Sequence, residues 1–373
     1  MVQRRVIKVG TSLLRGTSDR DTKEVIADLA RNLATDHDRQ NLLVLVTSGA
    51  VGLGCDRLAL KNRPTEVVAL QAAAAVGQGR LMGLYDTAFS KYNIRIAQIL
   101  LSREDLASKY RYQNASRTLY QLLDWGVIPI VNENDTLNTD ELRFGDNDTL
   151  SALVSMVIKA DELILLTDVS QLYSSDPKKD STAKPIQIVH NLTELEQLQS
   201  GAGGGSQWGT GGMTTKLAAA RMAVASGIRV RLADGRDPAI LEALLRGEDR
   251  GTVFEASGNL LSDQKVWLAY AFQMKGKLIV DTCTEKRLVE NNTSLIINDI
   301  LAAEGNFDGR DAVRIINING QEVGRGMSML SQEEISNFIN ERKNGEQDKK
   351  SLPLETVVID QDQLILSNDI PLC

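Results

Sequence analysis

Short runs of valine, isoleucine and leucine alternate with helix-patterned segments through residues 1–255, and this rhythm limits the chain to few folds. The runs are Val6–Val9, Leu42–Val46, Ile94–Leu100, Val127–Val131, Leu163–Leu166 and Ile228–Leu232. They are near-continuous rather than alternating, so strands built from them must be covered on both faces. Helical spacing in Lys23–Ala34, Thr118–Leu123, Thr149–Ile158 and Thr214–Ala225 supplies the covering layers. The expectation is an α/β fold, a mostly parallel sheet sandwiched by helices. Ligands of such folds bind outside the carboxyl ends of the strands.

A chain of 373 residues exceeds what one hydrophobic core usually serves, so a second domain is expected. From residue 276 the texture changes. Lys277–Asp281, Ser294–Ile297, Ala312–Ile316 and Val357–Ile359 are short strand candidates, and Asn319-Gly320 is a hairpin signal. Glu333–Lys350 is polar with one weak helical face, and its charged part, Glu341–Lys350, reads as exposed. The boundaries expected are an α/β domain over 1–257, a linker over 258–275, and a small mostly-β domain over 276–354. A tail over 355–373 packs on that domain or extends it.

Several function classes are set aside by composition. No apolar run approaches the ~18 residues of a membrane helix, and the apolar pattern after Met1 is too short for a signal segment. Cys55, Cys283 and Cys373 are odd in number and widely spaced, which suits neither a disulfide framework nor a zinc site. A cytoplasmic location is expected, with no membrane partner. Only two histidines occur, His37 and His190, both in polar surroundings, which weakens triad and histidine–metal mechanisms together. Residues 276–373 hold ten Lys and Arg against seventeen Asp and Glu, and the rest of the chain is balanced. That acidic quarter argues against nucleic-acid binding, which needs a basic face.

The residues just beyond the strands carry the chemistry. Lys8 lies inside the first apolar run, before Gly10-Thr-Ser12; a buried lysine costs several kcal/mol unless paired. Thr47-Ser-Gly-Ala-Val-Gly52 follows the second run and opens a helix, where small residues let backbone N–H groups close on an anion. Asn132-Glu-Asn-Asp135 follows the fourth run, and Gly145-Asp-Asn-Asp-Thr149 opens another helix. Such clustered acids and amides suit an amino group, a metal-bound phosphate or both. Thr167-Asp168 follows the fifth run. The stretch Gly209-Thr-Gly-Gly-Met-Thr-Thr-Lys216 resembles a Walker A loop, but its spacing departs from G-x-x-x-x-G-K-[ST]. Lys216 falls in the first turn of a helix, where a cation opposes the dipole unless an anion sits between. Two lysines converging on an anion, glycine-lined helix starts and acids without histidine describe phosphoryl transfer by positioning and charge neutralisation. A carboxylate acceptor, already deprotonated at neutral pH, needs no general base.

Lys8-Val-Gly-Thr-Ser, Val46-Thr-Ser-Gly-Ala, Val131-Asn-Glu-Asn-Asp, Phe144-Gly-Asp-Asn-Asp, Leu166-Thr-Asp and Gly209–Lys216 resemble, in order and spacing, the signatures of the glutamate 5-kinase branch of the amino acid kinase family. Gly276–Leu354 resembles the PUA domain that bacterial members append. The resemblance implies ATP- and Mg²⁺-dependent transfer of the γ-phosphoryl group to the side-chain carboxylate of L-glutamate. The product is glutamyl 5-phosphate, at the first step of proline synthesis, with proline as inhibitor and a homo-oligomeric assembly, dimer or tetramer. Carried over by residue, Lys8, Lys216 and Asp148 are catalytic. Ser48, Gly49, Asn132, Asp135, Asp146 and Asn147 hold glutamate, with Asp135 pairing its ammonium. Lys8, Thr167, Asp168, Thr210, Gly211, Gly212, Met213, Thr214, Thr215 and Lys216 line the nucleotide. Magnesium is held by the ATP phosphates, with Asp148 as its candidate protein ligand. Aspartate and N-acetylglutamate kinases typically show K-x-G-G at the first strand, where this chain has Gly10-Thr11-Ser12. Two alternatives stay open: a kinase of another small carboxylate or carbamate, and an RNA-binding regulator with a vestigial kinase fold.

Overall fold

The aliphatic runs do form one sheet, its central strands buried on both faces and the Ile94–Leu100 run a partly exposed edge strand. The computed structural model describes residues 2–16, 20–102, 105–106, 109–137, 147–175, 180–191, 194–195, 212–258, 263–266, 268–269, 272, 274–291, 293–344 and 352–367. Two units are distinguished, residues 1–260 and 261–373.

In the first unit, the long strands are β1 (Arg4–Val9), β2 (Leu42–Val46), β3 (Ile96–Leu101), β4 (Ile128–Glu133), β5 (Glu162–Thr167) and β9 (Arg229–Asp234). Leu172–Tyr173 (β6) and Pro185–Ile186 (β7) pair as a small separate hairpin. Ile188–Val189 (β8) and Thr252–Phe254 (β10) complete the large sheet, whose order is β3-β4-β2-β1-β5-β9-β10-β8. Every neighbouring pair is parallel except β9 with β10. From β1 the chain passes to β2 on one side, while β5 lies on the other. The carboxyl end of β1 is therefore a switch point, the crevice where open α/β sheets take ligands.

The covering helices are α1 (Thr11–Leu14), α2 (Thr22–Asp38), α3 (Ala50–Arg57), α4 (Val67–Ser90), α5 (Lys109–Asp124), α6 (Asn147–Val157), α7 (Gly212–Ala225) and α8 (Ile240–Leu245). Asp21 and Glu24 cap α2 reciprocally, each side chain accepting from the other's main-chain N–H. Helix α5 runs well beyond the expected Thr118–Leu123, because its polar first half has no apolar periodicity to reveal it. Strand β3 begins at Ile96 rather than Ile94, whose side chain is buried just ahead of the sheet.

Helix α4 corrects the expectation about membrane-length segments. It is 24 residues long and holds an 18-residue window of mean hydropathy 1.2, long and apolar enough to cross a bilayer by length and composition alone. Alanine and glycine supply much of that apolarity without forming an aliphatic run. One face, with Ala74, Leu81, Tyr85 and Phe89, is embedded in the core of this unit. A helix with one face in a core passes the same test as a spanning one.

In the second unit, β11 (Gly276–Val280), β13 (Ile300–Gly305), β14 (Ala312–Asn317), β15 (Glu322–Met327) and β17 (Leu364–Leu366) form a sheet in the order β13-β11-β14-β15-β17. Strands β12 (Leu295–Ile296) and β16 (Val357–Ile359) pair separately. The Asn319-Gly320 turn joins β14 to β15, with Gly320 at φ +81° and the Asn317 side chain accepting from the N–H groups of Asn319 and Gln321. Three further helices are α9 (Asp263–Val266), α10 (Thr282–Asn291) and α11 (Gln332–Asn344). Leu268 and Ala269, in the segment expected as a linker, pack on Ile365. Residues 345–350 of the expected exposed charged stretch lie outside the described residues.

Candidate active site

Strand β1 delivers Lys8 to the switch point with only 4% of its surface exposed. A lysine so enclosed needs an anion, and α6 brings one. Asp148, in the first turn of α6 and also 4% exposed, places Oδ1 2.5 Å from Lys8 Nζ. Its other oxygen, Oδ2, lies 3.1 Å from Lys216 Nζ and accepts from Thr215 Oγ1 at 2.8 Å. Lys216 also donates to the carbonyl of Gly212 at 3.0 Å, so it is folded back over the first turn of α7. One carboxylate thus gathers two ammonium groups from opposite ends of the first unit's sequence. Burial alone would push the Asp148 carboxyl upward. The charges of Lys8 and Lys216, with hydrogen bonds from Lys8 and Thr215, outweigh it and hold the group below the usual carboxylate range.

Beside this charge cluster lies a row of amides. Gly49 caps α3 with φ +96°, a left-handed conformation that side chains other than glycine adopt at a cost. The bend turns the Thr47 carbonyl and the Ser48 hydroxyl toward α6. Asn147 Nδ2 approaches Thr47 O at 2.5 Å, Ser48 Oγ at 2.8 Å and Asn132 Oδ1 at 2.9 Å. Asn132 in turn donates from Nδ2 to Gln78 Oε1 on α4 at 2.8 Å. Asn147 Oδ1 is enclosed and has no donor among the described residues. Native structures leave few such groups without a partner, protein or ligand.

Asp135 opens a 3-10 turn beyond β4. Its carboxyl is pushed up to about 7, chiefly by burial, then by the negative charge of Glu133, with Arg63 pulling the other way. A carboxylate in that condition awaits a cation. On the opposite flank, Thr167 at the end of β5 is buried and donates from Oγ1 to Asp168 Oδ1 at 3.2 Å. The N–H of Gly235, beyond β9, donates to the Thr167 carbonyl at 2.8 Å. Gly212, Met213 and Thr214 stand at the start of α7.

The expected residues Lys8, Ser48, Gly49, Asn132, Asn147, Asp148, Thr215 and Lys216 therefore meet at the carboxyl ends of β1, β2 and β4. Asp146, Thr210 and Gly211 lie outside the described residues. Thr215, read from sequence as a nucleotide contact, bonds Asp148. Gln78 and the Thr47 carbonyl are members the sequence reading omitted. Nothing in an alanine-rich helix marks Gln78, although the two glycines flanking it could have signalled a close approach.

A model of the amino acid kinase family matches residues 3–234, and a model of the PUA domain matches residues 276–345. A glutamate 5-kinase from Synechococcus sp. (strain CC9605) is 51% identical over 361 residues, covering 97% of this chain and 98% of its own length. One from Prochlorococcus marinus (strain MIT 9313) is 51% identical over 363 residues, 97% and 99% of the two chains. Among solved structures, carbamate kinase from Giardia lamblia bound to AMP-PNP overlays with a TM-score of 0.49 and 18% identity, over 69% of this chain and 99% of that one.

Proposed function

The chain belongs to the amino acid kinase family, in its glutamate 5-kinase branch, and on that premise we propose that it transfers the γ-phosphoryl group of ATP to the side-chain carboxylate of L-glutamate. The product is L-glutamyl 5-phosphate, which opens the route to proline. The observation that carries this reading is the bridging of Lys8 and Lys216 by Asp148 at the sheet's switch point.

The site's chemistry follows from its charges. The attacking carboxylate is ionised at neutral pH, so no proton has to be removed. In the transition state, negative charge spreads over the equatorial oxygens of the transferring group. Lys8 and Lys216, preorganised on Asp148, face that charge in a site from which water is largely excluded. The first turn of α7 adds its unpaired N–H groups, and an anion there turns an unfavourable lysine placement into a favourable one. Ser48, Gly49, Asn132 and Asn147 would seat glutamate, and Asp135 would take its ammonium. Thr167, Asp168 and residues 212–216 would line the nucleotide.

Magnesium, when bound, neutralises charge on the β- and γ-phosphates. Those phosphate oxygens would be its main ligands. Asp148 is engaged by both lysines, so it would orient them in preference to binding the ion directly. The same reading includes cytoplasmic location, inhibition by proline and a homo-oligomer. The outward face of α4, with exposed Val68, Ala72, Ala75, Gly79 and Gly83, is small and apolar and suits contact with a second copy. The acidic second unit supports no nucleic-acid partner.

The test is hydroxamate formation with ATP, Mg²⁺ and hydroxylamine across candidate acceptors. Hydroxamate from L-glutamate, and not from L-aspartate or N-acetyl-L-glutamate, is the expected result. Turnover of either competitor without turnover of glutamate overturns the assignment.

A further inference from the structure

The orientation of a buried carboxamide is ordinarily ambiguous, because its oxygen and nitrogen look alike. Here a main-chain carbonyl removes the ambiguity. Thr47 O can only accept, so the Asn147 atom at 2.5 Å is Nδ2. The same nitrogen faces Asn132, so the Asn132 atom meeting it at 2.9 Å is Oδ1. Asn132 must then turn Nδ2 toward Gln78, and the atom it reaches at 2.8 Å is Oε1. The relay therefore ends on Gln78 Nε2, a donor that is enclosed and without an acceptor among the described residues. An unpaired buried donor costs about 1–3 kcal/mol. A donor held in that condition by the amides of Asn147 and Asn132 is a position for an acceptor from beyond the described residues, and a bound substrate can supply one.

The sheet order indicates which acceptor. The reacting carboxylate of the substrate belongs over β1, beside Lys8. Strand β4, which carries Asn132, lies two places away, roughly 10 Å at about 4.8 Å per strand. An extended glutamate spans only part of that distance, so its α-carbon, with the ammonium and the α-carboxylate on it, lies between the two strands, where side chains extending from β4 and α4 can meet it. Asp135 and Glu133 are acids on β4 and its following turn. They attract the ammonium and repel the α-carboxylate, so an uncharged donor at this end is what the second group requires. Gln78 is pressed toward it because α4 crosses α3 with Gly77 against the Ala50 carbonyl.

We propose that Gln78 is a substrate-specificity residue whose Nε2 donates a hydrogen bond to the α-carboxylate of bound glutamate. This rests on the glutamate kinase reading and adds to it the group that distinguishes an α-amino acid from an amine bearing only the side-chain carboxylate.

Two substitutions separate recognition from mere support of Asn132. Gln78→Glu keeps an oxygen toward Asn132 and replaces the donor with an anionic acceptor. Gln78→Leu removes both. Steady-state kinetics on the full chain with L-glutamate and with its α-amide, isoglutamine, are the readout, with Tm recorded for each variant. The wild type should prefer glutamate over isoglutamine by about 10-fold or more in kcat/KM. Gln78→Glu should raise KM for glutamate by about 10-fold or more with kcat little changed, and should narrow the preference for glutamate over isoglutamine. A wild-type KM in Gln78→Glu beside an impaired Gln78→Leu overturns the proposal and leaves Gln78 a prop for Asn132. So does a wild type that uses both acceptors equally, whether or not the variants fold. Absence of any glutamate turnover by the wild type would instead bring down the acceptor assignment, and this inference with it.

Discussion

Asp148 sits between two ammonium groups with almost no access to water, and its ionisation depends on both of them. Removing either lysine leaves a buried carboxylate short of its charge and a transition state short of a counter-ion. Lys216→Ala should lower kcat by about 10²-fold or more, as loss of one preorganised charge does. A near-normal kcat with raised KM for ATP would reduce Lys216 to ground-state binding. Asp135 behaves in the opposite sense. Its carboxyl is pushed up from 3.8 to about 7 by burial and by Glu133, against the pull of Arg63. Between those values the native state holds a proton that the unfolded chain has released, so this group's contribution to stability falls as pH rises from 3.8 to about 7. Two results follow. KM for glutamate should rise as pH drops below about 7, because the protonated carboxyl no longer attracts the ammonium. Asp135→Asn should raise Tm of the ligand-free protein at pH 8 by about a degree or more while raising KM for glutamate about 10-fold or more. An unchanged pH profile of KM in that variant would show that Asp135 is not the group that titrates. At this scale Lys8, Asp148 and Lys216 were legible, because a charge inside an apolar strand or at the wrong helix end demands a partner. Gln78 was not, since its place depends on how close two helices approach.

That approach belongs to the scale of the element. Helices α3 and α4 cross backbone to backbone. A Cβ on Gly77 would fall 1.8 Å from the Ala50 carbonyl oxygen, and one on Gly54 would fall 1.8 Å from that of Ala73. No side chain can be accommodated at either position without parting the helices. Gly77→Ala should therefore destabilise the protein by about 1–3 kcal/mol, the usual cost of overpacking, and should also raise KM for glutamate by moving Gln78. Denaturant unfolding and kinetics on the same preparation check both, and a variant as stable as the wild type would contradict the close crossing. The central strands were readable from sequence because a strand buried on both faces must be aliphatic throughout. Helix α4 was not, because alanine and glycine signal neither a period nor a boundary. The first half of α5 escaped for a related reason, being polar on every turn.

At the scale of the whole molecule, the site sits at one end of the large sheet and a buried charge network holds the other. Arg5 on β1 bonds both oxygens of Asp36 on α2 at 2.7 Å and pairs with Glu162 on β5 at 3.3 Å. Arg231 on β9 meets the same Glu162 at 2.5 Å. Glu162→Gln leaves two enclosed guanidinium groups short of one charge, and a loss of about 3–5 kcal/mol is expected. Thermal unfolding should show it, with KM for both substrates unchanged below the transition. The change of texture near residue 276 led to the expectation of a second domain from there, whereas the two compact units divide at residue 260, and Leu268 and Ala269 had no sequence mark of their burial against Ile365.

The central claim is that the side-chain carboxylate of glutamate attacks the γ-phosphorus of ATP. It is tested most directly with L-glutamate carrying ¹⁸O in that carboxylate. When the acyl phosphate cyclises, the α-amine expels phosphate together with the bridging oxygen. Mass spectrometry should find one ¹⁸O in each phosphate released from product, in an amount equal to the ADP formed. Phosphate without label, with ADP still accumulating in the presence of glutamate, would contradict the account.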